Sequence, residues 1–149
     1  MRMKQIKFTV PGEPFGWQRA GQNRSTGAIY TQERTRQRER LVALAYKSAA
    51  KGYTFPADTY VGLQITAYMK IPKSASKARR AKMLSGELRP TVKPDWDNLG
   101  KLVSDALNGI AYGDDKSVVE ARVMKFYSEL PRTEVIVTAA ESEGEENDL

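Results

Sequence analysis

"KPDWDNLGKLVSDALNGIAYGDDKSVV", residues 93–119, carries a helix, its stop signal and the start of a strand in one unbroken stretch. Leu99, Leu102, Val103, Ala106, Leu107 and Ile110 recur at helical spacing, and this single apolar stripe predicts a helix over about residues 97–108. Pro94 fits just before a helix start, and Asn108-Gly109 fits just past its end. The run "SVVEARVMKFY", residues 117–127, then reads as a strand. A one-sided helix that leads straight into a strand needs a sheet to lie on.

The flanking sequence supplies that sheet. "TYVGLQITAYM", residues 59–69, alternates Val61, Leu63, Ile65, Ala67 and Met69 toward one face. "IKFTV", residues 6–10, sets Ile6, Phe8 and Val10 against Lys7 and Thr9 and is ended by Pro11-Gly12. "TEVIVTA", residues 133–139, is a further strand, joined to the preceding one by a tight turn at Pro131. A helix is predicted from about Thr31 to Lys51, with "LVALAYKSAA" as its buried half and Gly52 as its terminator. "SASKARRAKML" predicts a short basic helix capped by Ser74 or Ser76. The order β-α-β-(α)-α-β-β predicts an α/β or α+β fold, one domain over residues 1–140 with a mixed sheet of about four strands and helices packed on it. Residues 11–30 form a long Gly/Pro-rich loop, of the kind that tends to be functional or disordered.

Composition narrows the chemistry. The chain has no cysteine and no histidine, which excludes disulfides, thiol nucleophiles, histidine bases and most transition-metal sites. Any metal would be a hard cation on oxygen ligands. No apolar run approaches a membrane span and the N-terminus lacks a signal-peptide core, so a cytoplasmic protein is expected. The tail "ESEGEENDL", residues 141–149, holds five acids and no base, and is expected to be disordered. Without it the chain has 24 basic and 13 acidic residues, a net charge of +11. A body that basic suggests a polyanionic partner, most simply nucleic acid, although solubility alone is the plainer explanation.

Two acidic pairs bracket the helix. Asp95 and Asp97 stand at its mouth, where one of them would serve as N-cap. Asp114 and Asp115 stand before the next strand, where Asp is an ordinary turn residue. About 18 Å of helix separates the pairs, and the linker "GIAYG" is long enough to bring the second back to the first. Converging carboxylates repel one another, and a divalent cation is the natural compensation, in an arrangement suited to phosphodiester hydrolysis. Lys101 lies four residues after Asp97, and Asp105 four after Lys101. Lys101 is either one half of an exposed ion pair or an ammonium set against a phosphate, while Asp105 is expected to be structural. Trp17 and Trp96 are expected to pack, with base stacking as the alternative.

These residues resemble the RusA family of Holliday junction resolvases, found in bacteria and their prophages. The likeness rests on Asp95, Asp97 and Asn98, on Lys101, on Asp105-Ala106-Leu107 and on Asp114-Asp115. It is close over the quoted stretch and looser over the strand, loop and helix that open with "PGEPFGWQRAG". Ser117 departs from the glutamine that often precedes the strand's first valine in that family. The resemblance implies an Mg²⁺-dependent homodimeric endonuclease that cuts paired strands at a four-way junction, with Mn²⁺ as a substitute metal. By position it makes Asp95, Asp97 and Asp115 the catalytic, metal-binding acids, with Asp114 their neighbour, and Lys101 the catalytic lysine. DNA contacts are expected from Arg19 and Arg24 in the loop and from Lys73, Lys77, Arg79, Arg80, Lys82 and Lys93 in the basic segment. A DNA-binding protein without catalysis, its acids serving only as caps and turns, is the alternative. A phosphotransferase is disfavoured, since neither a Walker loop nor a Gly-x-Gly-x-x-Gly run is present and no nucleotide cofactor is expected.

Overall fold

The computed structural model describes residues 3–18, 21–22, 25, 29–30 and 33–140. Four strands form one mixed sheet: β1 (Met3–Pro11), β4 (Val61–Lys70), β5 (Val118–Ser128) and β6 (Arg132–Ala140). Two-residue strands β2 (Gly21–Gln22) and β3 (Ile29–Tyr30) pair separately within the segment predicted as loop. The helices are α1 (Glu33–Ala50), α2 (Lys77–Ser85) and α3 (Trp96–Leu107). A single turn of 3₁₀ helix, Asp115–Ser117, leads into β5. This is the expected α+β domain. The acidic tail, residues 141–149, lies outside the described residues.

The sheet order is β1-β6-β4-β5, with β4 and β5 parallel and the other neighbours antiparallel. The tight turn expected at Pro131 is present, but the strands it joins are not paired, because β4 runs between them. Tyr68 of β4 faces Arg132 and Lys70 faces Ser128, so the turn steps past the end of β4. Two strand spacings, about 10 Å, lie within reach of the connection. The burial of β6 gives the reason for its place. Val135, Val137 and Ala139 are almost fully enclosed, as a central strand requires, whereas the first half of β5 is largely exposed.

Side-chain alternation places Ile6, Val137, Leu63 and Ala121 in one row across the sheet and Phe8, Val135, Ile65 and Val123 in the next. Helices α1 and α3 cover this face. Leu99, Leu102, Val103, Ala106 and Leu107 are buried there, as the stripe predicts, while Ile110 lies past the helix end and is half-buried. The buried side of α1 is narrower than expected, with Thr35, Val42 and Tyr46 enclosed and Leu41 and Leu44 exposed. Phe8 meets Tyr46 edge-on at 5.8 Å, and the Tyr46 hydroxyl donates to the Tyr53 carbonyl at 2.6 Å.

On the opposite face Tyr68 and Phe126 stack, with Arg132 over one ring and Arg89 over the other. These contacts hold the basic segment 70–93 against the far end of β5. Ser76 caps α2 by accepting from the Arg79 N–H at 3.2 Å, so of the two serines proposed it is the one that serves.

Candidate active site

The first turn of α3 fixes the first acidic pair. Asp95 holds the N-cap position through its backbone, its carbonyl accepting from the Leu99 N–H at 3.0 Å, but its side chain makes no capping hydrogen bond. Asp97 lies one residue inside the helix, where its Oδ1 accepts from the neighbouring Asn98 N–H at 2.9 Å. Both are exposed. Capping therefore accounts for the place of Asp95 in the chain and leaves its carboxylate uncommitted among the described residues.

At the other end, the Asp114 side chain caps the 3₁₀ turn by accepting from the Lys116 N–H at 3.1 Å. Its hydrogen bond with Asp115, and then the Lys116 N–H, lower the Asp114 pKa. The same bond raises that of Asp115, followed by burial and by the charges of Asp114 and Asp105. Asp115 thus stands in an excess of negative charge. Tyr112 lies beneath it in the core and donates to the Ser104 carbonyl at 3.0 Å. Burial, then Asp115, Asp105 and Asp114, push the phenol's pKa upward and keep it a neutral donor.

Lys101 is held from two sides. It forms the i, i+4 ion pair with Asp105 at 3.1 Å, and its ammonium lies 4.9 Å from the Trp17 ring centroid. Glu39 of α1 belongs to the same electrostatic neighbourhood. Burial and then the charge of Asp105 raise its pKa, with Lys101 and Arg36 opposing. The Trp17 N–H donates to the Asn98 carbonyl at 2.9 Å, which ties the loop to the start of α3. Gly16 permits that approach, since a Cβ there would lie 2.9 Å from Pro94 Cβ and 3.1 Å from Asn98 Cβ. Glu39, Ser104 and Tyr112 escaped the sequence reading. The one signal for them was Tyr112 standing between Asn108-Gly109 and the acidic pair.

Two grooves flank the helix start. Asp97 and Asp115 line one of about 320 Å³ together with Trp96, Gly100, Ser104, Ala121 and Val123. Asp95 lines the other, about 360 Å³, with Lys93, Asn98 and the loop residues Pro14–Gln18. The fold thus brings Asp97 and Asp115 to one groove across the helix and leaves Asp95 on its neighbour. Among the described residues no three acidic side chains close into a ready-made cation cage. The donor chemistry nonetheless suits a hard cation, with carboxylates throughout and the crowding at Asp115 relieved by positive charge.

The basic residues divide by place. Lys93 sits on the groove of Asp95. Lys73 precedes α2, while Lys77, Arg79, Arg80 and Lys82 ride on it; all are exposed except Arg80, half-buried and paired with Glu129 at 3.1 Å. The turn after α2 packs by Gly86 against Phe126, eight residues along β5 from its first residue, roughly 26 Å at strand spacing. The basic helix therefore extends the surface away from the acids and does not crowd them. Arg19 and Arg24 lie outside the described residues.

The residues of this geometry lie within the stretch that known proteins match. The family described as endodeoxyribonuclease RusA matches residues 11–138, which include the loop, strands β4, β5 and β6 and both acidic pairs. A protein of Bacillus subtilis (strain 168), "Uncharacterized protein YqaN", is 40% identical over 139 residues, covering 91% of this chain and 96% of that protein. No helix among the described residues is long and apolar enough to cross a membrane. With the match running through three of the four sheet strands and both ends of α3, the chain belongs to the RusA family of endodeoxyribonucleases, hydrolases of phosphodiester bonds in DNA that act on branched junctions.

Proposed function

We propose that this chain resolves four-way DNA junctions by paired, Mg²⁺-dependent cleavage, acting as a homodimer in the bacterial cytoplasm on host or prophage DNA, with Mn²⁺ able to replace Mg²⁺. The observation that carries this reading is the groove that Asp97 and Asp115, from different elements, both line. Asp95, Asp97 and Asp115 are the residues that would hold the cation, with Asp114 beside Asp115. When bound, the metal supplies an acidified water and a positive charge at the scissile phosphate.

The chain's own groups do the rest. Hydrolysis adds water across one P–O bond, and negative charge builds on the phosphate oxygens as the leaving oxygen departs. Lys101, held by Asp105 and faced by Trp17, presents an ammonium that offsets this charge. Tyr112 braces the strand-side acid by bonding back to the Ser104 carbonyl. Lys93 and the bases of α2 bind the phosphate backbone on either side. The test is cleavage of a synthetic four-way junction in Mg²⁺ by purified Asp97→Asn and Asp115→Asn. Each is expected to cut at least about 100-fold more slowly while still binding the junction. Undiminished cutting by either variant overturns the assignment.

A further inference from the structure

Trp96 does not pack, contrary to the expectation from sequence. It is the first residue of α3, between Asp95 and Asp97, and it is 67% exposed. Tyr60, the last residue before β4, is 77% exposed. Among the described residues neither ring has an aromatic or cationic partner. A single exposed apolar side chain is ordinary, but these two stand beside the same acidic pair. Trp96 lines the groove of Asp97 and Asp115, and Tyr60 lines a groove of about 790 Å³ together with Asp114 and Lys116. The turn over residues 113–119 is the ridge between the two grooves. Asp115 and Val118 line one of them, while Asp114, Lys116, Ser117 and Val119 line the other.

Local structure holds both rings outward. Before Tyr60, the Thr54 hydroxyl donates to the Ile110 carbonyl at 2.8 Å and the Phe55 N–H to the Ala111 carbonyl at 2.8 Å, with the Phe55 ring buried. Asp58 takes a left-handed φ of +68°, which aspartate tolerates in turns, and the Thr59 hydroxyl donates to the Pro56 carbonyl at 2.7 Å. Val61 is fully enclosed, so strand alternation turns Tyr60 away from the core. On α3, Trp96, Gly100 and Ser104 follow at i, i+4 and i+8 in one column along their groove. A Cβ at Gly100 would meet Val123 Cγ2 at an ordinary 3.6 Å, so packing on the sheet does not demand a glycine there. The glycine keeps the groove open beside the indole. Leu63, Ile65, Ala121 and Val123 make the rest of that groove apolar, with the exposed Asp97 and Asp115 beside them. An apolar trough with an indole at its lip suits the face of a base. Paired bases bury their faces against their neighbours, and the faces come free where pairing is broken, as at a branch point.

We infer that Trp96 and Tyr60 are positioning residues that stack unpaired bases, one in each groove, so that a single strand crosses the 113–119 ridge with its scissile phosphate at the acids. Lys116, exposed and without an ion-pair partner among the described residues, takes a phosphate on the Tyr60 side. Stacking of this kind is tolerant of sequence, and it favours DNA whose bases are splayed over intact duplex. The place of the scissile phosphate rests on the cleavage proposed above; the stacking of unpaired bases does not.

Binding by the full chain, without divalent metal, to oligothymidylate and to an intact duplex of equal length tests the stacking. Trp96→Ala and Tyr60→Ala are each expected to weaken oligothymidylate binding about tenfold and duplex binding less than about twofold, with Trp96→Phe and Tyr60→Phe keeping most of the affinity. The chain has two tryptophans, so Trp17→Phe leaves Trp96 as the only emitter, and its emission is expected to fall as oligothymidylate binds. Four-way junctions with an abasic site beside the mapped cut then close a double-mutant cycle. The wild type is expected to lose about tenfold in affinity on the abasic junction, and Trp96→Ala to lose nothing further. Equal losses on single strand and duplex, an unmoved Trp96 emission or additive losses on the abasic junction overturn the inference. So does a change in the sedimentation of Trp96→Ala without DNA, since the indole would then belong to an interface between copies. A wild type that stacks oligothymidylate on these rings but cuts no junction fails only the cleavage reading. Junction cutting that is indifferent to both rings fails only this one.

Discussion

Asp95, Asp97, Asp114 and Asp115 show how one residue type takes different parts according to its surroundings. Asp95 caps α3 with its backbone alone, Asp114 caps a turn with its side chain, and Asp115 is left with raised proton affinity beside it. Glu39 is the quieter member of this electrostatic group and offers a clean pH test. Its folded pKa is raised above the ordinary value of 4.5, chiefly by burial, so ionising it opposes folding. The favourable contribution of the protonated form is complete below that ordinary value and is lost as pH rises through the folded one. Glu39→Gln is therefore expected to raise the thermal midpoint near neutral pH, with the gain vanishing as pH falls toward about 4. Melting curves across that range check it, and a gain that is constant with pH would show that charge is not the cause.

At the scale of elements, the contact that matters most is a loop on a helix start. Gly16 sits against Pro94 and Asn98, and Trp17 next to it reaches Lys101. Gly16→Ala is expected to push this loop off α3, destabilise the fold by about 1–3 kcal/mol and lower junction cleavage, because overpacked atoms on both sides belong to the helix start. Trp17→Ala removes a cation–π contact worth about 1 kcal/mol and is expected to slow cleavage roughly fivefold with less effect on binding, while Trp17→Phe retains most of the rate. Single-turnover and binding measurements on the same variants separate the two effects. The sequence marked Trp17 as a packing residue. That expectation holds for its place against α3, but its second role depends on Lys101 lying one helical turn beyond Asn98, which only the docked loop reveals.

For the whole molecule, the sheet divides labour by face and by end. Helices α1 and α3 and both acidic pairs gather on one face, and the basic segment with α2 is held at the far end of β5 by the Arg89–Phe126–Tyr68–Arg132 stack on the other. Positive charge is thereby spread along a surface long enough to track a DNA backbone without neutralising the acids. Replacing Arg79 and Lys82, both exposed, with alanine is expected to reduce the slope of log binding constant against log salt by about 2, with cleavage of bound junction unchanged. Binding measured over a salt series checks this, and an unchanged slope would place the DNA elsewhere.

By itself the sequence determined the elements and the kind of chemistry. Periodicity located α3 and β4 almost to the residue, because the apolar stripe and the strict alternation each match one backbone period. The lack of histidine and cysteine limited any metal to a hard cation on oxygen ligands. Only the tertiary structure decided which strands are neighbours. The turn at Pro131 looks like a hairpin, but a local turn carries no information about a third strand inserted between the two it joins. The same holds for the site. Asp97 and Asp115 line one groove because α3 connects parallel β4 and β5 over the sheet, and Tyr112 is buried near Asp115 by packing against residues far away in the chain. Such contacts depend on how elements are laid on one another, and local pattern fixes only the elements themselves.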